Sequence, residues 1–325
     1  MFGNSFFNGE PPMKSLHNVK GSAILCLASL IWGLAFVAQT QAADNVPPFA
    51  FNSMRSFIGA AFLFVLLLFK QGHKKEPLFP QAPQKRKETL VAGLLCGILL
   101  TVSVNFQQFG LSNYPSGVAS EARGGFLTAL YVILVPIITI FFGKKVKLPV
   151  WMAVIVSIVG IYLLSLSGGI DSIYLGDILM LVCALSFSFH IITVDRYANV
   201  DGITLSMLQF LVCGILSGVL SICMETVVWE KVLLAVPQIL YLGIMSSGVG
   251  YTLQIYGQKF ADAPVASITM SLESVFAALG GWLIVGNTLS AREFWGCALV
   301  FVAIILAQVP QFFEKEKADV TASME

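Results

Sequence analysis

The stretch FGLSNYPSGVAS, residues 109–120, can be laid without gaps on YGQKFADAPVAS, residues 256–267. Aromatic-Gly opens both copies and Val-Ala-Ser closes both, and a glutamine stands two residues before each aromatic, Gln107 and Gln254. Each copy also joins one long apolar run to the next. Self-similarity of this kind marks a chain assembled from repeated units, so the surrounding runs are best read as two related sets.

A helix needs roughly 20 apolar residues to cross the hydrocarbon core of a bilayer. Runs of that length, bounded by charge, Pro or Gly, number ten: 20–40, 49–69, 89–111, 116–142, 148–165, 174–194, 203–223, 231–257, 264–285 and 292–309. Pro47-Pro48, Pro115, Pro149 and Pro264 fall just before or in the first turn of a run, where a missing N–H costs little. Pro136 lies inside the fourth run and predicts a kink there. The two motif copies each link the third run to the fourth of a five-run set. The chain therefore reads as halves 20–166 and 174–309, joined near residues 168–172, with terminal segments 1–19 and 310–325. Five is odd, so the second half enters the membrane from the opposite side and the repeats are inverted. The expected fold is all-α and integral to the membrane, with ten transmembrane helices. Inverted repeats favour alternating access, because pseudo-symmetry supplies two near-equivalent arrangements of one scaffold.

Composition agrees. Hydrophobic residues make up 57% of the chain and charged residues 11%, with a mean hydropathy of +0.83; a water-soluble fold would leave broad apolar patches exposed. A net charge of +1 offers no basic footprint for nucleic acid. The six cysteines all sit in apolar runs without a CxxC pair, which suits packing rather than disulfides or metal ligation. The polar N-terminal segment lacks a secretory signal pattern, so Met1 is expected to be retained. Fifteen Lys and Arg fall on the side shared by the termini and the even-numbered loops, against two, Lys231 and Arg292, on the other. Both termini are thus expected in the cytoplasm of a multi-pass bacterial inner-membrane protein. The basic, proline-containing loop 70–88 reads as a solvated connector.

Charges that remain inside the runs are the informative ones, since each costs about 2.5–3.5 kcal/mol to insert. They are Arg55, Glu121, Arg123 and Glu273, whose formal charges cancel. By helical rise the first three lie roughly 8–11 Å below the external boundary. Glu121 and Arg123 are two apart and do not share a helix face, so a cross-helix pair of Arg55 with Glu121 is expected, leaving Arg123 to meet a substrate. Amides form a second set: Gln39, Asn105, Gln107 and Gln108 near external helix ends, with Gln209 and Gln254 in the second half. They suit zwitterionic or heterocyclic ligands, and equally interhelical hydrogen bonds. Trp32, Tyr131, Tyr251 and Tyr256 are candidate cavity walls or packing residues. His190 is a candidate proton carrier or a hydrogen-bonded packing residue. Gly93 with Gly97, and Gly214 with Gly218, have the spacing that lets helices approach closely.

These residues resemble the drug/metabolite transporter superfamily, and within it the EamA-type ten-helix proteins. The resemblance covers nearly the whole chain and rests on Ile31-Trp32-Gly33, Arg55, the link from Gly110 to Ala119, Ala263-Pro264-Val265-Ala266, and the run from Ser271 to Ala278. One departure stands out: where the family often carries Gly-Glu before the last helix of each half, this chain has Gly143-Lys144 and Gly286-Asn287. The resemblance implies a proton- or gradient-linked exporter or exchanger of amino acids, nucleosides or related metabolites.

An intramembrane enzyme would need residues that are missing, as there is no HExxH, GxSxG or phosphate loop. A channel or scaffold would show polar rings or an extended interaction domain. The expectation is therefore a cofactor-free secondary transporter, monomeric or homodimeric, whose partners are a small-molecule substrate and the lipid bilayer. Arg123, Glu273, Glu121, Arg55, Gln39, Asn105, Gln107 and Gln254 are its candidate substrate-binding residues, and the fourth and ninth runs are expected to line a central cavity.

Overall fold

A computed structural model describes residues 14–74, 79–115, 120–165, 173–285 and 290–322. The N-terminal residues 1–13, residues 116–119 of the first motif copy, the 168–172 join, Gly286-Asn287 and residues 323–325 lie outside the described residues. Among those described there is no strand. Among the described residues, seven helical stretches are long and apolar enough to cross a membrane, at residues 20–43, 48–73, 83–112, 123–141, 175–196, 202–224 and 263–284, and two shorter apolar helices lie at 148–163 and 294–307.

The first half contains α1 (Lys14–Ala43), α2 (Pro48–Lys74), α3 (Pro83–Ser112), α4 (Ser120–Ala129), α5 (Tyr131–Phe141) and α6 (Leu148–Ser165). Helices run beyond the apolar runs: Pro83 sits in the first turn of α3, and the basic residues 85–87 are helical rather than loop. This shortens the expected connector, because charged side chains on an extramembrane turn do not oppose helix formation. The fourth run breaks at Leu130, not at Pro136. The Leu130 amide bonds the Leu127 carbonyl at 3.3 Å, a tightened i→i−3 turn, and Pro136 lies inside α5.

The second half contains α7 (Leu175–Arg196), α8 (Gly202–Met224), α9 (Trp229–Leu234), α10 (Val236–Tyr241), α11 (Tyr251–Gln258), α12 (Ala263–Met270), α13 (Leu272–Gly280) and α14 (Ala291–Ala322). π-helical turns occupy Leu242–Gly250, between α10 and α11, and Gly281–Val285 after α13. The stretch expected as one run over 231–257 is therefore interrupted. Asp201 starts α8 as its N-cap, accepting from the Thr204 amide at 3.0 Å and from Lys70 Nζ at 2.8 Å. Burial raises its pKa, but these hydrogen bonds outweigh that and hold the carboxyl below its ordinary value. Glu225, at the other end of α8, receives the amides of Phe49 and Ala50 at 2.8 Å each, so it satisfies the opening turn of α2.

Packing runs mainly between the halves. α2 lies on α8, α3 on α7 and α8, α6 on α14, and α1 on α13 and α11. Small residues allow this closeness. Gly93 and Gly97 of α3 face Leu208 and Val212 of α8, while Gly214 and Gly218 of α8 face Phe57 and Ser53 of α2. Gly33, from the Ile31-Trp32-Gly33 turn, is the tightest of these contacts. A Cβ there would lie 2.4 Å from Phe276 Cβ and 2.8 Å from the Ala277 nitrogen, so α1 and α13 touch through backbone. Apolar side chains such as Leu95, Ile155 and Leu220 point outward along the helices, where lipid rather than water meets them.

Gly33→Ala is expected to lower stability by about 1–3 kcal/mol through overpacking. Thermal unfolding of the detergent-purified variant measures this, and an unchanged midpoint would mean that α1 and α13 can separate freely.

Candidate functional site

Buried polar residues occur throughout the bundle, and a subset of them converges between the halves. A cavity lies between the halves. α1 contributes Trp32, Ala35, Phe36 and Gln39; α2, α3, α4 and α5 contribute Arg55, Gln107, Thr128 and Tyr131. Facing them are Phe187 and Ile191 of α7, Ser246 of the π-helical turns, Tyr251 and Gln254 of α11, Met270 of α12 and Glu273 of α13.

Two ionisable side chains of opposite type share this space. Arg55 is 2% exposed and Glu273 5%. Glu273 Oε1 accepts from the Tyr131 hydroxyl at 2.9 Å, a bond that crosses from the first half to the second. Arg55 Nε has no hydrogen-bond partner, and no carboxylate lies within ion-pair distance of Arg55 among the described residues. The expected partner, Glu121, sits half-buried in the first turn of α4 and does not line the cavity. Other polar atoms around the cavity are likewise unmatched: Trp32 Nε1 as a donor, and Gln39 Oε1 and Gln254 Oε1 as acceptors. Unmatched polar atoms also occur away from the cavity, among them Asn52 Oδ1 and Ser157 Oγ, so these four stand out by their position rather than by being unmatched.

Aromatic rings form one wall. Trp32 meets Tyr251 at 4.8 Å between centroids, and Tyr251 in turn packs against Phe210 at 5.1 Å and His190 at 6.0 Å. The π-helical turns bring Gly250 so near Trp32 that a Cβ there would stand 2.8 Å from Nε1. His190 itself lies behind this wall, fully buried, with Nε2 2.9 Å from Gln209 Oε1. Gln107 reaches Thr128 at 3.4 Å, and Gln108 donates to the Gln39 carbonyl at 3.2 Å, so Gln108 braces α1 rather than lining the cavity.

Two further candidates lie away from the cavity. Arg123 does not meet the cavity; its Nε and a terminal nitrogen bind both Asp177 oxygens at 2.7 Å, and its guanidinium stacks over Tyr174 at 4.8 Å. A bidentate partner on α7 had no signal in the spacing of the first half. Asp177 stands in the first turn of α7, near the edge of an apolar run, where a charge reads as interfacial. Asn105 is also elsewhere. Its amide donates to Ser217 at 2.8 Å and its Oδ1 accepts from Asn52 at 3.0 Å, welding α2, α3 and α8.

The sequence profile of the EamA-like transporter family matches this chain twice, over residues 19–166 and 174–308. A protein from Archaeoglobus fulgidus described as an uncharacterized transporter is 30% identical over 311 residues, covering 94% of this chain and 91% of its own. YedA of Escherichia coli K12, described as an uncharacterized inner membrane transporter, is 25% identical and covers 87% of this chain and 89% of its own. A crystal structure at 20% identity superimposes with a TM-score of 0.71, over 90% of this chain and 98% of that one, which shows the shared fold. Family and relatives together indicate a multi-pass membrane transporter rather than an enzyme.

Asn105→Ala strips partners from buried Asn52 and Ser217, and is expected to cost roughly 1–3 kcal/mol of stability while leaving ligand affinity of the folded protein unchanged. Side-by-side thermal unfolding and ligand titration read both quantities. Weaker binding with intact stability would move Asn105 into the site.

Proposed function

We propose that this chain, which belongs to the EamA-like transporter family, is a secondary transporter whose central cavity takes a small zwitterionic metabolite, an amino acid or a compound of similar charge distribution. The observation that carries this reading is the pair of opposite charges, Arg55 and Glu273, facing one cavity without bonding each other. An anionic group meets Arg55 and Trp32 Nε1 as donors; a cationic group meets Glu273, Gln39 and Gln254 as acceptors. Arg55 belongs to the first half and Glu273 to the second, so a bound zwitterion bridges them.

Ten crossing segments in two inverted repeats, 20–166 and 174–309, with both termini cytoplasmic, form the scaffold of this mechanism. The packing pattern supports it. Numbering the expected crossings from one to ten, an exchange of first with sixth, second with seventh, and so on maps the main contacts onto one another. α3 on α7 answers to α1 on α11, α3 on α8 answers to α2 on the Leu242–Gly250 turns, and α1 on α13 answers to α7 on α4 and α5. α2 on α8 and α6 on α14 map onto themselves. Such a pattern gives two equivalent arrangements for alternating access. The Tyr131–Glu273 bond crosses the interface that has to shift, which makes Glu273 the candidate for proton coupling; export or exchange follows the family resemblance.

Arg55→Ala and Glu273→Gln each remove one charged contact, and on the order of 10- to 100-fold weaker binding is expected for each, from about 1.5–3 kcal/mol per charged hydrogen bond. A thermal-shift screen of detergent-purified protein against amino acids, nucleosides and polyamines identifies the ligand, since a compound that prefers the folded state raises apparent stability. Counterflow in proteoliposomes then measures its transport. A ligand bearing only one charge, or hits insensitive to both substitutions, would sink the zwitterion assignment.

A further inference from the structure

Helix α7 carries two aspartates, Asp177 near its start and Asp195 near its end, separated by about 27 Å at 1.5 Å per residue. Both are paired with cations from the same neighbouring segment. Asp177 holds Arg123 of α4 in the bidentate contact already described, with the Tyr114 hydroxyl donating to the same carboxylate at 2.9 Å. Asp195 holds Lys144, just past the end of α5, at 2.7 Å, and also accepts from the Ala263 amide at the start of α12. Between these two ion pairs lies the cavity, which α4 and α5 line with Thr128 and Tyr131, and α7 with Phe187 and Ile191.

The seam between α4–α5 and α7 is therefore closed above and below the cavity. It is also a seam between halves, since α4 and α5 belong to the first matched stretch and α7 to the second. Rocking of one half against the other cannot occur while both ends are pinned. The geometry points to Arg123–Asp177 and Lys144–Asp195 as two latches that shut the cavity at opposite ends, each broken in turn as the cavity opens to its side; this rests on the alternating-access reading above.

The two latches differ in kind. Arg123 and Asp177 are largely shielded, with side chains 13% and 9% exposed, and the contact is bidentate and stacked on Tyr174. Lys144 is 44% exposed and makes a single contact to Asp195, whose own side chain is 12% exposed. A pair with an exposed lysine is weakened by solvent and by salt more than a shielded bidentate arginine pair is. The empty protein should thus open more readily at the Lys144 end, which the distribution of basic residues places on the cytoplasmic side.

The test uses a thiol placed in the cavity wall, Ala35→Cys, labelled by a charged, membrane-impermeant maleimide in right-side-out and inside-out vesicles. The parent chain, with its own cysteines, supplies the background. Labelling of the otherwise unaltered Ala35→Cys protein is expected to be greater from the cytoplasmic face. Asp177→Asn or Arg123→Ala should raise labelling from the outer face at least threefold and leave the cytoplasmic face unchanged or lower. Lys144→Ala should raise labelling from the cytoplasmic face alone, and high salt should imitate it. The charge exchange Arg123→Asp with Asp177→Arg should return outer labelling toward the starting value, which separates a latch from general loss of packing, and thermal unfolding of each variant checks that it folds. Labelling that alternates between faces but ignores both ion pairs overturns the latches and leaves the transporter reading standing. A thiol reached from neither face in any variant, in folded protein, overturns both.

Discussion

A buried arginine and a buried glutamate held in one cavity without touching each other set the terms for the helices around them. Each charge loses hydration when the chain inserts, and neither recovers it through the other. Such a pair persists only where the surrounding structure over-determines it. The neighbouring helices supply that rigidity through close approach at Gly33, Gly93 and Gly97, and through interhelical amide hydrogen bonds such as Asn52 to Asn105.

The scaffold separates three polar duties that look alike in the primary structure. Asn105 and Glu225 satisfy buried or helix-end groups and hold α2 to its neighbours. Arg123 pairs with Asp177 at one end of the α4–α7 seam, as Lys144 does with Asp195 at the other. Arg55, Glu273, Gln39, Gln107 and Gln254 line the cavity. A bilayer punishes unsatisfied polarity everywhere, so residues of all three duties are equally conspicuous within apolar runs. Only their partners tell them apart.

The interrupted segments fall near the cavity as well. The π-helical turns at Leu242–Gly250 bring Ser246 to the cavity and press Gly250 against Trp32, while the break at Leu130 separates Thr128 from Tyr131. Departures from regular helix at such places re-aim side chains that a straight helix would stack along one face, and they leave backbone groups where neighbouring protein rather than lipid meets them.

Hydropathy was enough to read an all-helical membrane protein, because the bilayer imposes a length and a composition on each crossing independently of its neighbours; the EamA type followed from the resemblance carried by residues such as Ile31-Trp32-Gly33 and the run from Ser271 to Ala278. The identity of the charged and amidic candidates was legible for the same reason: polarity inside an apolar run is visible in one dimension. Which of them meet was not. Arg55 faces Glu273 across the halves rather than Glu121, Arg123 finds Asp177 on α7, and Asn105 turns to Ser217, pairs separated by dozens to hundreds of residues. Such pairs depend on how helices cross and rotate against each other, and that is set by the close packing of small residues at distant positions, which no local periodicity encodes.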